Sequence, residues 1–350
     1  VADSHFGRAR LAPETVSAAA RALQASRRVW ITTHIKSDGD GIGCELALAR
    51  ALRARGAEAR IINDTVVPRP LRFLLAGPDE ILIYDPERDD PFINEADMAV
   101  VLDVGLGYRL GRLEAPLRES RAIKLCLDHH LDTEPLFDHL LCDPELNATG
   151  EILFHLLKVM GAELTPCVAT PLYTSLVVDS GNFSYERCRP ETFRIAGALV
   201  EAGARPYYVH VNLHWRRSLA EVKLEGEVID NVELCSGGRV ACGVVSKEML
   251  RRYAIDPMEM PDIVNIPLSL DGVEIALLFV EMDSGYIKVS ARGKGRVKVS
   301  KLAHMFGGGG HPLAAGFSIK ATLDEARRKV LDECSGLINA ADFEASTISA

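Results

Sequence analysis

The chain predicts an α/β protein in two parts: an N-terminal doubly wound, mainly parallel sheet, joined by a linker to a smaller α/β domain. Three observations predict it. Through the first half, apolar runs that end in polar residues alternate with helix-like stretches. Those runs are continuously apolar, as in strands buried on both faces of a sheet. After about residue 220 the pattern changes to strands that pair through a short turn. A length of 350 residues suits two domains of ordinary size.

Each element follows from local chemistry. "RRVWITTH" (27–34) is a β-branched run, "CELALARALRARG" (44–56) reads as a helix stopped by Gly56, and "AEARIIN" (57–63) is the next strand. "ADMAVVLDVG" (96–105) and "RAIKLCLDHH" (121–130) are further strands. The stretch 146–164 reads as a helix with Asn147 and Thr149 as cap candidates and a stop at Gly161. Residues 170–185 read as a helix breaking into a turn at Asp179–Gly181, and 189–206 as a helix to about Gly203. The expected division is 15–205, a polar helix-like linker at 206–225, and 226–340. In the last part, 239–246 is a strand, 273–293 a strand pair about "DSG", and 323–337 an amphipathic helix. The polar end, 339–350, is expected to fray.

Bulk properties narrow the function. A net charge of −9 argues against a broad basic surface for duplex nucleic acid, though not against a short anion on a local basic patch. No apolar run approaches the roughly 18 residues that span a bilayer. "VADSHFGRAR" lacks the pattern of a secretion signal, so a cytoplasmic location is the default expectation. The eight cysteines form no CxxC pair and read as reduced, mostly buried fillers.

Four places in the first part end an apolar run with acids or histidine: His34, Asp38 and Asp40; Asp103; Asp128, His129 and His130; and Asp179. One such aspartate is ordinarily a turn or a helix cap. Together they matter, because the carboxyl ends of parallel strands line one crevice. Oxygen and imidazole donors without thiolates suit two divalent cations, manganese first and magnesium next, sharing a carboxylate. In "HIKSDGDGIG" (34–43), Gly39 and Gly41 are expected to let the chain turn sharply between the acids. In the second part, Lys288, Arg292, Lys294, Arg296, Lys298 and Lys301 form a basic run without an acid, followed by Gly307–Gly310 and His311. Such a run is either a solvated basic hairpin before a flexible loop or a phosphate cradle. His5, His139, His155 and His304 lack carboxylate clusters, and His210 and His214 read as one face of a linker helix.

"HIKSDGDGIG", "VVLDVG", "CLDHH" and "VVDSG" resemble the four ordered motifs of the DHH phosphoesterase superfamily. Residues 289–317, with "GGGH", are similar to its DHHA1 domain, and the resemblance spans about 25–320. The subfamily it resembles is the stand-alone bifunctional oligoribonuclease and pAp phosphatase type, often called nanoRNase. That resemblance implies two metals, with His34 and Asp38 on the first, Asp40, His129 and Asp179 on the second, and Asp103 bridging. It implies that Asp128 orients its neighbours and that His130 serves near the leaving phosphate. Arg292, Gly308, Gly309, Gly310 and His311 are the implied substrate contacts. The implied reaction is hydrolysis of RNA of about 2–5 nucleotides to mononucleotides, and of pAp to AMP. The implied partners are short single-stranded RNA or nucleotides, with no duplex DNA and no membrane; a homodimer is left open. A cyclic- or linear-dinucleotide phosphodiesterase is the alternative. A family II pyrophosphatase fits less well, lacking the GGGH element. A nucleotide-binding regulator with a dead centre is opposed by the full set of ligands. Two departures stand out. Cys44 replaces a small hydroxyl residue and is expected to begin the next helix and affect packing more than chemistry, and "SARGKG" is less polar than the usual arginine motif.

Overall fold

The structure is a computed structural model that describes residues 11–348 except 258, 259 and 261, with side chains described to residue 342. His5, the N-terminal decapeptide and the last two residues of the expected frayed end lie outside the described residues. The chain divides into two compact units, Val1–Arg216 and Arg217–Ala350.

The first unit holds one sheet of β1 (Arg28–Thr33), β2 (Glu58–Asn63), β3 (Ile81–Ile83), β4 (Met98–Leu102), β5 (Ile123–Asp128) and β6 (His139–Cys142). Its order is β3-β2-β1-β4-β5-β6, and every neighbouring pair is parallel. The helices around it are α1 (Pro13–Ala25), α2 (Gly39–Ala54), α3 (Pro86–Asn94), α4 (Glu114–Glu119), α5 (Thr149–Val159), α6 (Pro166–Asp179), α7 (Pro190–Glu201) and α8 (Pro206–His214). The continuous apolar strands are explained by burial on both faces. Val29, Ile31, Val100 and Leu125 pack into one core with Leu48, Leu156 and Leu172. Trp30, Ala99 and Val101 point the other way, onto Phe92, Leu113 and Leu117. The strand order reverses between β1 and β4, which pair in register from Val29↔Met98 to Thr33↔Leu102. His34 and Asp103, the next residue on each strand, therefore emerge side by side at the switch point, where open α/β sheets leave a crevice.

The second unit holds β7 (Glu233–Cys235), β8 (Val240–Val245), β9 (Ile275–Glu281), β10 (Tyr286–Gly293), β11 (Gly309–His311) and β12 (Ala314–Lys320), in the order β11-β12-β10-β9-β8-β7. Only the β8–β9 pair is parallel among the described strands. Its helices are α9 (Leu219–Asp230), α10 (Lys247–Tyr253), α11 (Asn265–Leu268), α12 (Val299–Met305) and α13 (Leu323–Ile348). β9 alternates between two cores, Leu277 and Phe279 facing Leu302 and Val330, and Leu278 and Val280 facing Leu224 and Leu250.

Several local expectations need correction. α2 starts at Gly39 rather than at Cys44, because the Asp38 carboxylate caps it, accepting from the N–H groups of Asp40 at 3.0 Å and Gly41 at 3.4 Å. Its glycines do not make a sharp turn: none has a positive φ. They allow close approach instead. A Cβ at Gly39 would strike Val178, one at Gly41 Thr33, and one at Gly43 the Pro171 carbonyl. α5 is not capped by Asn147 or Thr149; its N-cap is Ala148, without a side-chain bond. α6 begins at Pro166, four residues before the expected 170. α13 runs to Ile348, through most of the end expected to fray. Of the segment expected as linker, α8 puts Val209 into the first unit's core, and α9 puts Leu224 and Val228 into the second's. All eight cysteines are free, and Cys167 departs from the filler reading by being exposed.

Candidate metal centre

His34 leaves β1 nearly buried. Its Nδ1 lies 2.8 Å from the Ile35 carbonyl oxygen, and its Nε2 faces Asp103 Oδ2 at 3.3 Å. Asp103 follows β4 with φ 62°, a left-handed conformation that aspartate tolerates better than most side chains, while its N–H still extends the ladder to the Leu127 carbonyl at 2.8 Å. His129, after β5, repeats the pattern of His34. Its Nδ1 lies 3.4 Å from the Leu146 carbonyl oxygen, and its Nε2 stands 3.1 Å from Asp179 Oδ2, 3.5 Å from Asp103 Oδ1 and 3.7 Å from Asp40 Oδ2. Both rings can donate from Nδ1 to a backbone carbonyl and present Nε2 to carboxylates, the arrangement that metal-binding histidines use.

Asp40 is fully buried, and elements distant in sequence hold it. Its Oδ2 accepts from the Thr149 N–H at 2.7 Å; its Oδ1 accepts from the Gly150 N–H at 3.1 Å, the Ser175 hydroxyl at 2.5 Å and the Cys44 thiol at 3.4 Å. Thr149 also donates its hydroxyl to Asp103 Oδ1 at 3.1 Å. The first residue of α5 thus ties two carboxylates together, and the helix's positive end faces them. In the sequence Thr149 is a cap candidate for its own helix; only the fold turns it toward Asp40. Asp128 holds His130 twice on Oδ1, from the backbone N–H at 3.1 Å and with Nδ1 at 2.7 Å. Its other oxygen is buried and takes no hydrogen bond among the described residues.

Within the first unit three groups each bring one ligand atom per residue within 4.8 Å of one another: His34, Asp38 and Asp103; Asp40, His129 and Asp179; and Asp103, Asp128 and His130. All eight first-part candidates therefore converge. The charges of the cluster are strongly coupled. Burial pushes the Asp40 carboxyl well above the usual range, and the like charges of Asp103 and Asp179 add to it. Burial alone would lower His34, but Asp103 and Asp38 lift it to about 9. Burial would raise Asp103, yet His129 and His34 hold it well below the usual carboxylate range. The crowded carboxylates thus draw positive charge toward the two imidazoles. The donors fit hard divalent cations: Cys44 is a donor to Asp40, and burial keeps its thiol protonated.

Behind His34 lies a group that the sequence did not disclose. Glu45 of α2 is fully buried; its Oε2 accepts from Asn63 Nδ2 at 2.9 Å, and its Oε1 has no hydrogen bond among the described residues. Burial lifts its carboxyl to about 8.

In the second unit, Arg292 on β10 pairs with Asp262 at 2.9 Å, and Asn265 donates to the same oxygen at 3.0 Å. The glycine run is not a flexible loop. Gly309–His311 is β11, paired with Ala314–Gly316 of β12. A Cβ at Gly308 would strike the Gly316 carbonyl, and Gly310 has φ 136°. Nor is the basic run uniformly available: Arg296 pairs with Glu274 and Asp342, and Lys294 donates to the Leu270 carbonyl at 2.8 Å. His210 and His214 lie with ring centroids 4.9 Å apart and tilted by 52° on α8, and among the described residues they join no metal-ligating group. His155 stands 3.9 Å from Glu191.

Residues 28–176 match the DHH family, N-terminal domain, and residues 239–339 match the DHHA1 domain. The chain belongs to the DHH–DHHA1 phosphoesterase family. It is 32% identical over 306 residues to the bifunctional oligoribonuclease and PAP phosphatase NrnA of Thermus thermophilus, covering 87% of this chain and 88% of that one. Among solved structures, an exopolyphosphatase-related protein from Bacteroides fragilis superposes with a TM-score of 0.89 at 27% identity, covering 94% and 98% of the two chains. RecJ of Thermus thermophilus in complex with Mn2+ shares the fold at a TM-score of 0.55 and 16% identity, covering 93% of this chain and 55% of RecJ. No helix among the described residues is long and apolar enough to cross a membrane.

Proposed function

We propose that the protein is a metal-dependent phosphodiesterase that hydrolyses RNA of a few nucleotides to mononucleotides and removes the 3′ phosphate of pAp. The observation that carries this reading is the pair of triads, His34–Asp38–Asp103 and Asp40–His129–Asp179, each converging within 4.8 Å. The relationship to the Thermus NrnA supports the substrate class. His34 and Asp38 would hold one cation and Asp40, His129 and Asp179 the other, with Asp103 available to both. Manganese or magnesium in these places would supply Lewis acidity to the attacking water and the phosphoryl oxygens. The protein's own residues do the rest. The Ile35 and Leu146 carbonyls fix the two histidine tautomers. Thr149 and Ser175 hold the Asp40 and Asp103 carboxylates in place. Asp128 orients His130, which passes a proton to the departing oxygen. In the second unit Arg292, Gly308–Gly310 and His311 bind the nucleotide.

The test is turnover of labelled RNAs of two to ten nucleotides, of pAp and of cyclic dinucleotides, with manganese, with magnesium and with chelator. Metal-dependent release of mononucleotides from the shortest RNAs, and of AMP from pAp, is expected. Turnover confined to cyclic dinucleotides would replace this reading with the signalling alternative. Binding of every substrate without turnover would leave a nucleotide-binding regulator.

A further inference from the structure

The turn after β4 carries a cation that the assignments above do not use. Residues Gly107–Leu113 form a 3-10 turn four residues beyond Asp103. It is pinned against the loop that carries His34 and Asp38. The Ile35 N–H donates to the Arg109 carbonyl at 2.8 Å. Gly111, at φ 63°, lies so close to Asp64 and Ile35 that a Cβ would collide with both. Gly107 N–H donates to Glu134 at 3.0 Å. The neighbouring guanidiniums are all neutralised: Arg112 pairs with Asp64 at 2.5 Å, and Arg118 with Glu114 at 2.9 Å and Glu134 at 2.5 Å.

Arg109 is the exception. It is half-buried, and its backbone is fixed at both ends: its N–H donates to the Leu106 carbonyl, and its carbonyl accepts from the N–H of Ile35, the residue next to His34. Its guanidinium forms no ion pair and no hydrogen bond among the described residues. It therefore stands beside a centre with Asp38, Asp40, Asp103 and Asp179 without being claimed by any of them. A guanidinium placed on a rigid turn, partly desolvated and left unpaired, is prepared for an anion from outside. We propose that Arg109 is a catalytic residue whose guanidinium binds the non-bridging oxygens of the phosphoryl group under attack. This rests on the phosphoesterase reading above. The planar fork can take two oxygens at once and offset the charge that grows on them as the bond to the leaving group breaks. Arginine, always protonated, does so without competing for the proton that His130 handles.

The experiment compares full-length wild type, Arg109→Gln and Arg109→Lys, each loaded with manganese. It reads kcat/KM on pAp and a labelled dinucleotide, calorimetric binding of inorganic phosphate, and bound manganese per chain. Arg109→Gln should lose about 10²–10³-fold in kcat/KM, as loss of one preorganised donor does. It should bind phosphate at least about tenfold more weakly, at unchanged manganese content. Arg109→Lys keeps the charge without the fork and should lose roughly tenfold, and it carries the test should the glutamine variant not fold. A glutamine variant within about threefold of wild type in rate and in phosphate binding overturns the proposal. So does a loss of rate that tracks a loss of manganese, which would make Arg109 a support for His34. Should the wild type turn over neither substrate, the functional reading fails, while phosphate binding abolished in Arg109→Gln still supports the anion site.

Discussion

At the ends of β1, β4 and β5, the carboxylates of Asp38, Asp40, Asp103 and Asp179 meet the imidazoles of His34 and His129, and no lysine or arginine among the described residues pairs with any of the four acids. On and around β10 in the second unit the arginines are matched by acids: Arg292 with Asp262, and Arg296 and Arg239 both with Glu274 and Asp342. The first region is mostly buried, Asp38 excepted, and its acids have no lysine or arginine for a partner among the described residues; in the second, more exposed region the arginines are matched by acids. Buried like charges are costly and persist where something restores neutrality, which points to cations from outside. A balanced surface cluster has no such need, so its charges alone say little about a ligand.

Four experiments would break or sharpen that contrast. The largest effect is expected from Asp103→Ala, which removes the carboxylate between the two triads. Turnover of pAp should fall by more than the ~10–100-fold typical of residues that only support a ligand, and bound manganese should fall with it. Unchanged activity would remove Asp103 from the centre. Thr149→Val keeps shape and backbone N–H but deletes the hydroxyl on Asp103. Manganese affinity, by calorimetry, should weaken about 10–100-fold; an unchanged affinity would reduce that hydroxyl to packing.

Glu45 tests the cost of burial without a partner. Its folded-state carboxyl is lifted to about 8 from an ordinary 4.5. The protonated fold is favoured, so this contribution is complete below about pH 4.5 and is lost as pH rises through 8. The wild-type unfolding free energy, from denaturant titration, should therefore fall across that window by more than that of Glu45→Gln, the difference approaching about a few kcal/mol at pH 9. Identical profiles would mean that water or a cation compensates the carboxylate. The smallest effect belongs to the balanced region. Asp262→Asn should change stability by under about 1 kcal/mol, as for other exposed pairs, and alter KM for pAp by a few-fold. A large loss of kcat would show instead that Asp262 aims Arg292.

Much of this centre was legible because its residues sit where strands end. His34, Asp103 and Asp128–His130 each close an apolar run, and a parallel sheet brings such ends to one rim. Asp179 was legible as the break in α6, where Ser180 ends the helix and Gly181 has φ 55°. The glycines of 39–43 misled, because a glycine that permits a turn and one that admits a neighbouring helix look alike in one dimension. Thr149 misled for a related reason: a threonine at a helix start usually caps that helix, and nothing local says that Asp40 does so instead. In the sequence Arg109 is one arginine among many. Its distinction is the lack of a partner, and absence of contact is not a property of sequence.

The sequence by itself determined the elements, the all-round burial of the central strands and the identity of the donors, since periodicity, caps and residue chemistry act over a few positions. Tertiary structure decided which donors share an atom's neighbourhood, which charges are left unmatched and how far each proton is held from its ordinary affinity. Those properties depend on distances and desolvation between residues as far apart as Asp40 and Ser175, and they exist only once the sheet has folded around its switch point.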